Sequence, residues 1–110
     1  MLKRRPKRRY LLIVQADKSS DPITAIRKRF SELYGTIAAE NAALRLVEQR
    51  ENEFIIRCAR EQLDDVLVAI ALIDPPAITI DMSGTIKQLR RRRQNSYWEG
   101  RHSPLEPERI

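Results

Sequence analysis

The chain has 110 residues, 42% hydrophobic and 33% charged, with a net charge of +6. That suits one domain with a modest core and a tail, and no apolar run approaches the roughly 18 residues of a membrane span. The single cysteine, Cys58, has no internal partner, and with the single histidine, His102, it makes no metal site.

Residues 1–9 hold Lys3, Arg4, Arg5, Lys7, Arg8 and Arg9 with no acid. Charge and Pro6 argue against a helix there, so 1–9 reads as a basic arm. The apolar stretch that follows is too short for a signal-peptide core. Tyr10-Leu11-Leu12-Ile13-Val14 reads as a strand, apolar on both faces. After a polar loop, Asp21-Pro22 starts a helix, and Ile23, Ile26, Phe30, Leu33 and Tyr34 recur at helical spacing until Gly35 ends it.

Thr36 to Asn41 leads into a second strand, about 43–49. Arg50 to Glu53 is a polar turn, and Phe54 to Ala59 is a third strand, giving a hairpin. Cys58 within it reads as a small buried hydrophobe of an intracellular protein. Leu63, Val66, Leu67, Ile70 and Ile73 stripe a helix over 61–73, stopped by Asp74-Pro75-Pro76. Ala77 to Met82 alternates as a fourth strand. Ser83 or Gly84 then caps a third helix in which Ile86 and Leu89 can face the body.

Lys87, Arg90, Arg91, Arg92 and Arg93 crowd that helix, and its charge cannot all be buried. The two basic segments, 1–9 and 84–93, flank a body over 10–83 with eight Lys/Arg against twelve Asp/Glu. Cations gathered at both ends of an acidic domain are the footprint of a polyanion binder, and Arg matches phosphate oxygens with a rigid fork of donors. From Gln94 to Ile110 the chain reads as a polar, disordered tail. Tyr97 and Trp98 within it suit either docking or base stacking.

The order β-α-β-β-α-β followed by a helix predicts an α+β, ferredoxin-like domain over 10–93: a four-stranded antiparallel sheet with two helices on one face. The other face needs the third helix or a partner. No nucleophile–base pair and no glycine-rich phosphate loop are present, so no catalytic residue, metal ligand or cofactor site is assigned. The third strand lacks the basic-glycine-aromatic pattern of RRM-type sheets, which moves expected RNA contact to the basic ends.

Lys7-Arg8-Arg9-Tyr10-Leu11-Leu12, Tyr34-Gly35-Thr36-Ile37-Ala38, Ile55-Ile56-Arg57-Cys58-Ala59-Arg60-Glu61 and Ser83-Gly84-Thr85-Ile86-Lys87 together resemble the small ferredoxin-like subunit of archaeal and eukaryotic ribonuclease P, called protein component 2 in archaea. The resemblance spans about 7–93. It implies a non-catalytic subunit of a ribonucleoprotein whose RNA removes the 5′ leader from precursor tRNA, with magnesium serving the RNA. It also implies partnership with ribonuclease P RNA, precursor tRNA and component 3, and a homodimer at the centre of a heterotetramer. The short length looks archaeal, hence cytoplasmic; a eukaryotic member would be nuclear or nucleolar. Thr85, Lys87 and Arg90 to Arg93, with the cations of 1–9, are the expected RNA-binding residues. Arg57 and Arg60 suit either RNA or ion pairs with Glu53 or Asp64. Two alternatives stay open: a free-standing RNA-binding or ribosome-associated protein, and a small regulatory or enzyme domain whose basic ends are solvated charge.

Overall fold

The computed structural model describes residues 7–17 and 21–101, with 94–101 as backbone only. Strand β1 spans Arg8–Gln15, followed by helices α1 (Pro22–Tyr34) and α2 (Thr36–Ala42). Strands β2 (Arg45–Arg50) and β3 (Glu53–Ala59) form the hairpin. A single 3-10 turn, Arg60–Gln62, precedes α3 (Leu63–Ala71), and then come β4 (Ala77–Ser83) and α4 (Ile86–Arg101). The sheet is antiparallel with strand order β2-β3-β1-β4, the expected ferredoxin-like arrangement.

Beyond shifts of about two residues at β2 and α3, three features differ from the sequence reading. β1 begins at Arg8, because Arg8 and Arg9 pair with Ala59 and Cys58 on β3, so the basic arm is partly sheet. The stretch after Gly35 is helix α2 rather than a lead-in to a strand. Gly35 takes φ 95°, its N–H closes α1 on the Ser31 carbonyl, and its carbonyl accepts the Ala39 N–H. Alanine-rich α2 then packs closely, with Ala42 buried and Ala38 and Ala39 against the core. Finally, α4 runs past Arg93 to Arg101, through the first half of the expected tail. Residues 102–110 lie outside the described residues.

Asp21 caps α1, accepting from the Thr24 N–H at 3.3 Å and the Thr24 hydroxyl at 2.7 Å. Beneath α1 and α3 the main core joins Leu11, Ile13, Phe54, Ile56 and Cys58 of the sheet to Ile26, Phe30, Val66 and Ile70. A second, smaller core lies on the opposite face, where Leu89 of α4 is buried on Leu12 and Ile55 with Tyr10, Val47 and Ile86 around it. The third helix thus covers part of the open face.

Register explains where α4 sits. One cross-strand row on the open face reads Asp81, Leu12, Ile55, Glu48 over β4, β1, β3 and β2. Leu89 covers the two aliphatic residues, while Arg92 reaches Asp81 and Arg90 and Arg93 reach Glu48. Neither acid would face α4 in an unbroken alternation. The β1–β4 pairing slips at Ile80, between Leu12 and Ile13, and the β2–β3 pairing slips at Val47. Each bulge adds one residue to an edge strand and turns the following acid to the open face.

Hydrogen bonds from Arg92, opposed by partial burial and helped by the Met82 N–H, hold the Asp81 carboxyl below its usual range. Partial burial pulls Glu48 up, but the hydrogen bonds and charges of Arg93 and Arg90 outweigh it and hold this carboxyl low as well. Groups with depressed folded pKa values stabilise fully above the ordinary carboxylate pKa of about 4, and that contribution is lost as pH falls through the folded values. Hydrogen exchange should therefore show α4 losing protection below about pH 4 before β1 and β3 do. Glu48→Gln and Asp81→Asn should each lose part of that protection already at neutral pH. In the main core, Ile56→Ala should lower unfolding free energy by about 2–5 kcal/mol, while Ile37→Ala, 78% exposed, should change it by less than about 0.5 kcal/mol in denaturant titration.

Candidate nucleic-acid interface

The turn into α4 is built by hydroxyls. The Thr85 hydroxyl accepts the Gln88 N–H at 3.2 Å, so Thr85 is the cap, rather than Ser83 or Gly84. Ser83, buried, accepts the Thr85 N–H at 3.3 Å and donates to the Gln88 side chain at 3.1 Å. Thr85-Ile86-Lys87-Gln88 is a capping-box sequence, a readable signal that the expectation of a Ser83 or Gly84 cap passed over. The Thr85 hydroxyl expected to meet RNA is thereby committed to the helix terminus.

The arginine run divides into two populations. Arg92 forks onto Asp81 with both bonds at 3.0 Å and also donates to the Met82 carbonyl at 2.6 Å. Arg93 bonds Glu48 at 2.7 Å and lies 3.5 Å from Glu53, while Arg90 bonds Glu48 at 3.1 Å. These three expected RNA contacts are turned onto the sheet by its own acids. Lys87 and Arg91, four residues apart, share the face turned outward, and both are exposed without an ion pair among the described residues.

The N-terminal block divides as well. Lys3, Arg4 and Arg5 lie outside the described residues. The Lys7 carbonyl accepts the Arg60 N–H at 3.0 Å, which ties the arm to the end of β3. Arg9 donates to the Arg8 carbonyl at 3.0 Å, and its guanidinium stands 3.3 Å from where a Cβ would sit on Gly84. The two basic segments, distant in sequence, therefore meet where β1 begins and β4 ends.

Antiparallel pairing brings the starts of β1 and β2 and the ends of β3 and β4 to one end of the sheet. Arg8, Arg45, Arg57 and Arg60 gather there, none in an ion pair among the described residues. Glu53, a suggested partner of Arg57, is taken by Arg93 instead. The opposite end carries Asp17, Glu51, Glu53 and Asp74. The same end also holds acids, Glu61 in the 3-10 turn after Arg60 and Asp64 and Asp65 at the start of α3 in the helix layer. There Tyr34 has its pKa raised by desolvation and by the charge and hydrogen bond of Asp65.

Other chemistry is sparse. Burial pushes the Cys58 thiol up to about 11 against the charge of Arg9, so it is a core group rather than a nucleophile. No group of three His, Cys, Asp or Glu among the described residues is placed to hold a metal ion. Tyr97 and Trp98 lie on α4, with their side chains outside the described residues.

The model of the Rpp14/Pop5 family matches residues 3–93. No curated protein sequence matches the chain. Among solved structures, a chain from the cryo-EM structure of yeast ribonuclease MRP superposes with a TM-score of 0.53 at 12% identity, covering 91% of this chain and 98% of that one. At that identity the superposition speaks for the shared fold. The family match over nearly all of the folded chain speaks for kinship: the chain belongs to the Rpp14/Pop5 family and is a non-catalytic protein subunit of the ribonuclease P class.

Proposed function

We propose that this subunit binds the RNA of its ribonucleoprotein through the basic end of the sheet and the outward face of α4, and supports removal of the 5′ leader from precursor tRNA. The observation that carries this reading is the sorting of cations. Arg90, Arg92 and Arg93 are engaged by acids of the sheet, while Lys87 and Arg91 on α4 and Arg8 at the start of β1 are exposed without an ion pair among the described residues. Uncompensated guanidinium and ammonium groups on rigid elements lower the repulsion between phosphates that an RNA active site must bring together. Catalysis and its magnesium belong to the RNA in this reading.

Protein partners fit other surfaces. Val68, Leu72 and Met82 are exposed along α3 and β4, and Ile78 and Ile80 are exposed where β4 leaves the open face uncovered. Such apolar groups near an unpaired edge strand suit a subunit contact, whether with component 3 or with a second copy of the chain.

Precursor-tRNA cleavage by a matching ribonuclease P RNA, reconstituted with component 3, should depend on this chain at moderate magnesium. Lys87→Ala/Arg91→Ala should weaken RNA binding, with the log–log salt slope falling by about 1.5 and the fold unchanged by circular dichroism. Cleavage indifferent to the chain, in a reconstitution that responds to another family member, would remove the reading.

A further inference from the structure

Arg45 of β2 and Arg57 of β3 are directly opposed in the antiparallel ladder. Both lie on the open face: Leu46 and Ile56, their immediate neighbours, pack into the helix-side core, and Tyr10, opposite Arg57 on β1, packs in the open-face cluster. A cross-strand row therefore reads Ser83, Tyr10, Arg57, Arg45. Like charges directly opposed on neighbouring strands destabilise a sheet. Among the described residues no acid pairs with either arginine, and the open-face carboxylate of the same strand as Arg45, Glu48, is shared by Arg50, Arg90 and Arg93. Arg57 is half-buried, which sharpens the conflict.

A local conflict in an otherwise consistent fold points to a functional demand. We propose that the Arg45–Arg57 pair is a phosphate-binding site for an RNA strand, with the backbone laid across the end of the open sheet face. One phosphate between the two guanidiniums would accept from both and cancel the repulsion, and Arg8, two residues from Tyr10 on the same face, extends the path. The proposal rests on the RNA-binding reading above and adds a contact on the sheet, separate from α4 and from the basic arm.

The site has a signature that a merely structural arginine lacks: removing either charge should stabilise the free protein and weaken the complex. The full chain would be prepared as wild type, Arg45→Gln, Arg57→Gln and Arg57→Lys. Melting temperatures would be read in low-salt, phosphate-free buffer. Affinity for a labelled single-stranded RNA of about twenty nucleotides would be read across a salt series. Each Gln variant should melt about 2 °C higher, bind about three- to tenfold more weakly, and lose roughly 0.7 from the salt slope. Arg57→Lys should retain the slope. Gln variants that bind as wild type does, or that melt lower and bind more weakly, overturn the site while leaving the general RNA-binding reading intact. Absence of salt-dependent binding by the wild-type chain overturns that reading and the site with it.

Discussion

The architecture turns on how α4 is held to the sheet. Among the described residues of α4, Leu89 is the one fully buried, resting on Leu12 and Ile55 with Ile86 beside it. An apolar contact of this size holds a helix down but does little to fix its rotation. The flanking ion pairs supply rotation: Arg92 to Asp81 on one side, Arg90 and Arg93 to Glu48 on the other. The solvent-facing pairs, Arg92 to Asp81 and Arg90 to Glu48, are worth no more than about 1 kcal/mol each, while Arg93, only 13% exposed, pairs with Glu48 in a more sheltered place. Their importance is geometric, since together they choose which side chains of α4 face away. Both acids reach the open face only because each edge strand carries a β-bulge one residue before them.

From that anchoring follows the electrostatics. An arginine-rich helix would seem to be uniformly cationic, but three of its charges are spent on the sheet. The cations without an ion pair among the described residues include Lys87 and Arg91 on the outer face and Arg8, Arg45, Arg57 and Arg60 at the sheet end where β1 begins. The sheet is unevenly charged, with Glu51 and Glu53 beside Arg50 around the β2–β3 turn and arginines without ion pairs among the described residues at the other end. A polyanion meeting this molecule is oriented by that axis before any specific contact forms.

Much of this was legible in the sequence. Asp21-Pro22 and Gly35 bound α1, helical spacing of Ile23, Ile26 and Phe30 marked its buried face, and the ferredoxin-like sheet followed from the order of elements along the chain. Charge counts located the basic segments, and Ile86 and Leu89 were readable as the face of α4 turned to the body. The bulges were not legible: Ala77 to Met82 alternates cleanly, and by parity Asp81 should face the helices. A slip at Ile80 reflects the partner strand's register, which no single segment encodes. For the same reason the division of Arg90 to Arg93, and the opposition of Arg45 to Arg57, emerge only when β2, β3 and α4 are brought together. Helix α2 escaped notice because Thr36 to Ala42 is too short for a periodic signal.

The most direct test of this account is a charge swap at the α4 anchor, Asp81→Arg combined with Arg92→Asp, compared with Asp81→Arg alone. Net charge in the swap equals that of wild type, and the ion pair is restored in reverse. The account expects the single variant to lose α4 hydrogen-exchange protection, the swap to regain most of it, and the swap's RNA salt slope to match wild type. A swap that regains protection but loses about 0.7 of the slope would mean that Arg92 itself meets phosphate. That result would contradict the division of the helix into anchoring and RNA-facing cations.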